Sequence, residues 1–282
     1  MNILVTGAKG FVGRNLCHAL MNIRDRKDRT HPEIQIDEIY QYDIDSTEEE
    51  LIEYCAKADF VFNLAGVNRP KDPSEFMQGN RSFIEKLCNA LKEKGNKCPV
   101  MISSSVQATL EGRYDTEYGR SKLAGEEYVF SYGEDEGVRV LVYRFPNLFG
   151  KWCRPNYNSA VATFCNNIAN DLAITVNDPT AELELLYIDD LCDEMIAALE
   201  GNEHRGERFC FVPTTHRDTQ GLLCKEALFY ISFLSAKGKD FFSLKDEPGR
   251  PRQLYRASAY GLGRTGKRKY LKAGSDQGSA LA

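Results

Sequence analysis

The sequence predicts an α/β fold, a doubly wound parallel sheet followed by a small C-terminal lobe. Three observations carry that expectation. The chain opens on an apolar run, Asn2–Thr6, which breaks at Gly7 into a turn rich in glycine. Strand-like and helix-like stretches then alternate as far as residue 145. Alternation of this kind builds a parallel sheet with helices on both faces. Beyond residue 150 the alternation loosens, which marks the passage to a smaller unit.

The opening run is short and continuously apolar, as a buried parallel strand should be. Gly7, Gly10 and Gly13 follow at three-residue spacing. The first permits a tight turn, the second lets the backbone approach a pyrophosphate, and the third lets the new helix lie against the strand. A helix starting here offers free amides and the positive end of its dipole to phosphates. Phe11, Val12, Leu16, Leu20 and Met21 give that helix an apolar stripe. The pattern is that of a Rossmann-type dinucleotide site, with Gly7, Lys9, Gly10, Phe11, Val12 and Gly13 around the cofactor. A second strand is expected at 38–45, after a long polar insertion at 24–31. Asp43 near its end suits a ribose 2′-hydroxyl and so argues for NAD. Lys9 and Arg14 suit a 2′-phosphate and argue for NADP, and the sequence leaves both open. Asp43 and Asp45 have a further reading, as a solvated strand end or the cap of a helix over 46–55.

Further along, the pattern predicts strands at 59–64, 99–102 and 138–145 and helices at 81–94 and 118–132. Past residue 150 it predicts helices at 159–170 and 189–199 and strands at 174–177, 182–188 and 208–212. The expected organisation is a nucleotide-binding core over 1–150 and a substrate lobe over 151–240, with the cleft at the carboxyl ends of the strands.

Chemistry enters at Tyr118-Gly-Arg-Ser-Lys122, which sets a phenol and an amine four residues apart on one helical face. Moving hydride to or from a carbon that bears oxygen also moves a proton. A tyrosine gives or takes that proton once its pKa is lowered from about 10. A lysine ammonium one turn away stabilises the phenolate. A serine at a neighbouring strand end orients the substrate oxygen, and Ser103-Ser104-Ser105 stands between the two motifs.

Composition narrows the field. The 282 residues are 42% hydrophobic and 27% charged, with a net charge of −5. A negative balance argues against a general nucleic-acid binder. No run approaches about 18 apolar residues, so no membrane span is expected. The first strand begins at the N-terminus, which is read as leaving no room for a signal peptide. Nine cysteines are scattered without pairing spacing or a Cys-x-x-Cys motif. They read as cytoplasmic thiols, not as a disulfide frame or a metal site.

Taken together, Thr6-Gly-Ala-Lys-Gly-Phe-Val-Gly13, Asn63-Leu-Ala-Gly66, Ile102-Ser-Ser-Ser105, Tyr118-Gly-Arg-Ser-Lys122 and Arg144-Phe-Pro-Asn-Leu-Phe-Gly150 resemble the extended short-chain dehydrogenase/reductases, the NAD-dependent epimerase/dehydratase group. The resemblance spans residues 1 to about 213. It implies cofactor contacts at Leu64, Ala65, Gly66 and Lys122 as well, and catalysis by Tyr118, Lys122 and a serine. Ser104 matches that serine best, with Ser105 the close alternative because the loop to Tyr118 is short. It also implies substrate contact at Asn147. Lys151 and Arg154, in a segment with Trp152 and Tyr157, are read as further substrate contacts at the cleft mouth. Leu183 stands about where the group carries an arginine, so the grip on substrate phosphates must differ.

A narrower similarity runs through Leu64-Ala-Gly-Val-Asn-Arg-Pro70, Ser103-Ser-Ser-Val-Gln-Ala-Thr109 and residues 145–159. These resemble the reductase half of the capsular-polysaccharide enzymes of the UDP-N-acetyl-L-fucosamine pathway. That similarity implies NADPH-type reduction of a UDP-2-acetamido-2,6-dideoxy-4-keto-hexose, in a protein expected to be a homodimer. Those enzymes carry a C-terminal cupin, for which this chain is read as having no room. The alternatives are an epimerase or dehydratase on the same fold, or a dinucleotide-binding sensor without turnover. Val106-Gln107 stand where a dehydratase usually carries Asp-Glu, which disfavours that chemistry.

The resemblance stops after His216. Residues 241–282 carry a net charge of +6, against −11 for the rest. The segment reads as a polar disordered tail; a foreign or frame-shifted stretch and a basic arm for an anionic partner are the other readings.

Overall fold

The computed structural model describes residues 1–170 and 172–224. The basic tail at 241–282 and the end of the expected lobe, 225–240, lie outside the described residues. Two compact units emerge, one from Met1–Leu148 with Glu184–His216, the other from Phe149–Leu183 with the chain from Arg217.

The first unit is built on five parallel strands: β1 (Asn2–Thr6), β2 (Glu38–Tyr42), β3 (Phe60–Asn63), β4 (Val100–Ser105) and β5 (Val140–Phe145). Their order is β2-β1-β3-β4-β5. The order reverses between β1 and β3, and a doubly wound sheet opens its ligand crevice at that reversal. Register brings Thr6 level with Tyr42 on one side and with Asn63 on the other. Ile3, Leu4, Val5, Val61 and Phe62 are wholly buried, as central parallel strands require.

Helices α1 (Phe11–Arg24), α2 (Glu48–Lys57), α3 (Ser74–Phe76), α4 (Phe83–Glu93) and α5 (Glu117–Glu136) belong to this unit. Helix α2 is capped by Thr47, whose hydroxyl accepts from Glu50 N while the Glu50 carboxylate accepts from Thr47 N. The cap is therefore Thr47, and not Asp43 or Asp45. Thr116 caps α5 through its hydroxyl alone, which accepts from Gly119 N at 3.0 Å. Gly137 closes α5 at φ 65°, the left-handed ending that glycine adopts at little cost. Helix α7 (Ile188–Leu199) also lies in this unit, and α6 (Ala160–Ala169) in the second. Strands β6 (Asn147–Phe149), β7 (Glu182–Tyr187) and β8 (His216–Thr219) form a three-stranded sheet in the order β6-β7-β8.

Four sequence expectations need correction. Strand β4 does not stop before the serines but runs through Ser105, in register with Phe145. The helix expected at 81–94 is preceded by a π turn, Met77–Ser82, which leads into α4. Residues 174–177 form no strand. They lead into a turn where Asp178 accepts from Thr180 N at 2.9 Å. Residues 208–212 make isolated bridges through Cys210 in place of a strand. Arg205 donates to the Val140 carbonyl on β5 at 2.8 Å, occupying an edge acceptor a ladder would need, and Pro213 has no N–H.

Candidate active site

The glycine turn at the end of β1 is shaped by close backbone contact. Gly7 has φ 66°, and a Cβ there would lie 2.7 Å from Ala65 N. A Cβ on Gly13 would come within 2.1 Å of the Gly7 carbonyl oxygen. Both positions exclude a side chain. Gly10 is the N-cap of α1, and no side chain caps its amides. Bare backbone, open amides and the dipole of α1 fit a pyrophosphate.

Leu64, Ala65 and Gly66 come to the same place through Thr6. Leu64 N donates to the Thr6 carbonyl at 3.2 Å and Ala65 N to the Thr6 hydroxyl at 3.3 Å. That hydroxyl donates to Asn63 Oδ1 at 2.5 Å. Beside the turn, Ala8, Lys9, Arg14, Cys17, His18, Met21 and Gln41 line a cavity of about 360 Å³. Asp43 spends its carboxylate on backbone amides, accepting from Lys9 N at 2.7 Å and Ile44 N at 2.8 Å. The Lys9 ammonium is paired with Asp45.

Tyr118 and Lys122 lie on the first two turns of α5. Lys122 is buried, and its Nζ donates to the Ser103 carbonyl at 3.0 Å. Burial pulls its pKa down to about 8, while the Glu126 carboxylate works in the opposite sense. The ammonium lies 5.9 Å from the centre of the Tyr118 ring, and that ring meets Phe76 at 5.7 Å. A Cβ on Gly66 would sit 3.1 Å from Lys122 Nζ, so the turn after β3 reaches the lysine. Gly119 lets α5 start against the preceding loop, where a Cβ would be 2.5 Å from the Tyr114 carbonyl oxygen.

The serines divide. Side chains alternate along a strand. The Ser104 hydroxyl is buried and donates to Glu126 Oε1 at 2.5 Å. Ser103 donates to the Asn63 carbonyl at 3.3 Å, and Ser105 accepts from Gln107 N at 3.2 Å, at the head of a 3-10 turn.

Two contributors escaped the sequence reading. Glu126 takes a bidentate ion pair from Arg144, at 2.9 Å from Nε and 2.6 Å from Nη2. Asn80, delivered inward by the π turn, accepts from Val67 N at 3.0 Å and donates to the Ser121 hydroxyl at 2.9 Å. That hydroxyl donates to the Tyr118 carbonyl at 2.8 Å. The four-residue step from Tyr118 through Lys122 to Glu126 was a readable signal for the first. A π turn leaves no comparable periodicity for the second.

Of the expected substrate residues, Asn147 uses its amide to bridge β6 and β7, donating to the Glu184 carbonyl at 3.1 Å. Lys151 and Arg154 belong to the second unit. Lys151 lies 5.7 Å from the Trp152 ring centre and Arg154 5.4 Å from that of Tyr157. Trp152 and Asn156 both hold positive φ, 64° and 56°. All nine cysteines are free thiols. Among the described residues no helix is long and apolar enough to cross a membrane.

The parallel order, glycine turn and Tyr–Lys helix define a Rossmann-type protein of the dehydrogenase/reductase kind. The family model described as "NAD dependent epimerase/dehydratase family" matches residues 3–209, and the chain belongs to that family. It is 45% identical over 201 residues to the UDP-2-acetamido-2,6-beta-L-arabino-hexul-4-ose reductase of Pseudomonas aeruginosa, covering 71% of this chain and 50% of that protein. The chain therefore spans about half the length of that relative. The capsular polysaccharide assembling protein CapF of Staphylococcus aureus superposes with TM-score 0.75 at 35% identity, over 98% of this chain and 69% of CapF. The UDP-glucuronic acid 4-epimerase of Bacillus cereus, in complex with NAD, shares the fold: TM-score 0.64, 22% identity and 85% of each chain.

Proposed function

We propose that this protein is an NAD(P)H-dependent reductase of a UDP-2-acetamido-2,6-dideoxy-4-keto-hexose, converting the 4-keto group to a hydroxyl for a surface polysaccharide precursor. The observation that carries the reading is the pairing on α5 of Tyr118 with a buried Lys122 anchored to β4. The similarity to the Pseudomonas reductase supplies the sugar class.

In this reading Gly7, Gly10 and Gly13, with the amides of Phe11 and Val12, hold the pyrophosphate, and Leu64, Ala65 and Gly66 border the same dinucleotide. Its dihydronicotinamide, when bound, supplies the hydride. Tyr118 gives its hydroxyl proton to the sugar's carbonyl oxygen, and the Lys122 ammonium stabilises the phenolate left behind. Ser104 is committed to Glu126, so we assign the orienting hydroxyl to Ser105, on the opposite side of β4. Arg14 and Lys9, the latter held by Asp45, together with an Asp43 turned to backbone amides, favour a cofactor carrying a 2′-phosphate. We read it as a cytoplasmic homodimer, the state the family resemblance implies.

The test is the loss of NADPH or NADH fluorescence with a UDP-4-keto-6-deoxy sugar. Turnover with NADPH exceeding that with NADH upholds the assignment. Tight cofactor binding without turnover would make the protein a sensor.

The segment after β6 is assigned to the diphosphate. It offers Lys151 and Arg154 beside two aromatic rings, on a backbone held twice at positive φ. Arg154→Ala should raise KM for the UDP-sugar about tenfold, one lost charge-assisted contact, with kcat little changed. Steady-state kinetics decide this; an effect confined to kcat would move the diphosphate away from Arg154.

A further inference from the structure

We infer that Glu126 and Arg144 act as a positioning pair, which sets the charge state of Lys122 and fixes the strand end on which Lys122 rests. The inference builds on the reading that Tyr118 and Lys122 carry the proton.

Glu126 follows Lys122 by one turn of α5 and lies on the same face. It is 1% exposed. A buried carboxylate stays ionised when it is paired and hydrogen-bonded. Here Oε1 accepts from Ser104 and from Arg144 Nε, and Oε2 accepts from Arg144 Nη2. The guanidinium is held on its other side too: it lies 4.1 Å from the Phe209 ring centre. Phe209 meets Phe130 edge-on at 5.7 Å, and Arg208 covers Phe130 at 4.1 Å.

The clamp acts where Lys122 is tethered. Ser104 binds the carboxylate, and the carbonyl of its neighbour Ser103 receives the Lys122 ammonium. One rigid strand end thus joins carboxylate, guanidinium and ammonium.

The other elements against α5 bring little competing charge. Strand β4 and the 3-10 turn Val106–Thr109 carry no ionisable side chain. Arg81 of the π turn is paired with Glu85 of α4, and Lys92 of α4 with Glu136 at the far end of α5. Glu75 of α3 accepts from Asp72 N at 3.4 Å. From β5 comes Arg144. Within this set Glu126 favours the ammonium of Lys122, opposing the effect of burial. Arg144 partly cancels Glu126.

Two substitutions should therefore move the system in opposite senses. The alkaline limb of kcat/KM for wild-type reduction should fall near pH 8, where Lys122 loses its proton. Glu126→Gln keeps the shape, removes the negative charge and leaves Arg144 uncompensated. Its limb should move down by about one pH unit, the scale of a single neighbouring charge. Arg144→Gln leaves Glu126 uncompensated and should move the limb up. The double variant should fall between Glu126→Gln and wild type, because Arg144 cancels Glu126 only in part.

The same order should appear without turnover, in the pH dependence of the Lys122 ¹³Cε resonance of lysine-labelled protein, assigned by its absence in Lys122→Met. Opposite displacements in the resonance without any reduction of the sugar would uphold the pair and overturn the reductase reading. Coincident titrations in all variants, with only thermal stability lowered, would reduce Glu126 and Arg144 to structural parts and overturn the inference.

Discussion

Tyr118→Phe should lower kcat by about 100-fold or more, the scale of a lost general acid, while dinucleotide affinity stays near that of the wild type. The reason for expecting a chemical and not a structural loss lies in how the residue is held. Its backbone is fixed by the Thr116 cap of α5 and by Ser121, whose hydroxyl binds the Tyr118 carbonyl and is itself held by Asn80. Its ring is placed against Phe76, a contact that phenylalanine keeps. The hydroxyl can therefore be removed with the frame intact. Lys122 remains tethered to Ser103. Retention of more than about half the activity, at unchanged melting temperature, would assign the proton to another group.

What was legible in the sequence was what repeats locally. The glycine spacing announced the turn because close backbone contacts at Gly7 and Gly13 forbid a side chain in one short loop. The Tyr118–Lys122 step announced a shared face because a helix has a fixed period. The sheet followed from alternation, since apolar strands separated by amphipathic helices leave a parallel arrangement. What was hidden depended on partners far away in the chain. Ser104 read as the better match and Ser105 as the close alternative, and only the fold shows Glu126, 22 positions on, engaging Ser104. Arg144 read as part of a strand motif, and its bond to Glu126 across α5 and β5 has no local trace. The edge of β5 was misjudged for a like reason: residues 208–212, apolar from Phe209 on, have strand character, but Arg205 takes an acceptor the ladder needs. Asn80 was lost because a π turn breaks the helical period just where the residue turns inward.

The glycine turn offers the second large effect, and its two ends should fail differently. Gly13→Val should prevent folding, because the new Cβ would lie 2.1 Å from the Gly7 carbonyl, with no flexible atom to yield. Gly10 is another case. Its backbone sits at φ −71° and ψ 177°, extended geometry that any residue adopts. A Cβ there approaches only the Gly7 carbonyl, at 3.1 Å, which a small shift relieves. The fold should accept Gly10→Val, whereas a pyrophosphate seated on the amides of α1 should not. The expected result is a folded protein with its thermal transition retained and its affinity for NADPH and NADH reduced by about 100-fold or more, roughly 2.7 kcal/mol. Calorimetric titration reads this directly, with circular dichroism as the check on folding. Unchanged affinity in a folded Gly10→Val protein would place the pyrophosphate away from α1 and remove the basis for assigning Phe11 and Val12 to the cofactor.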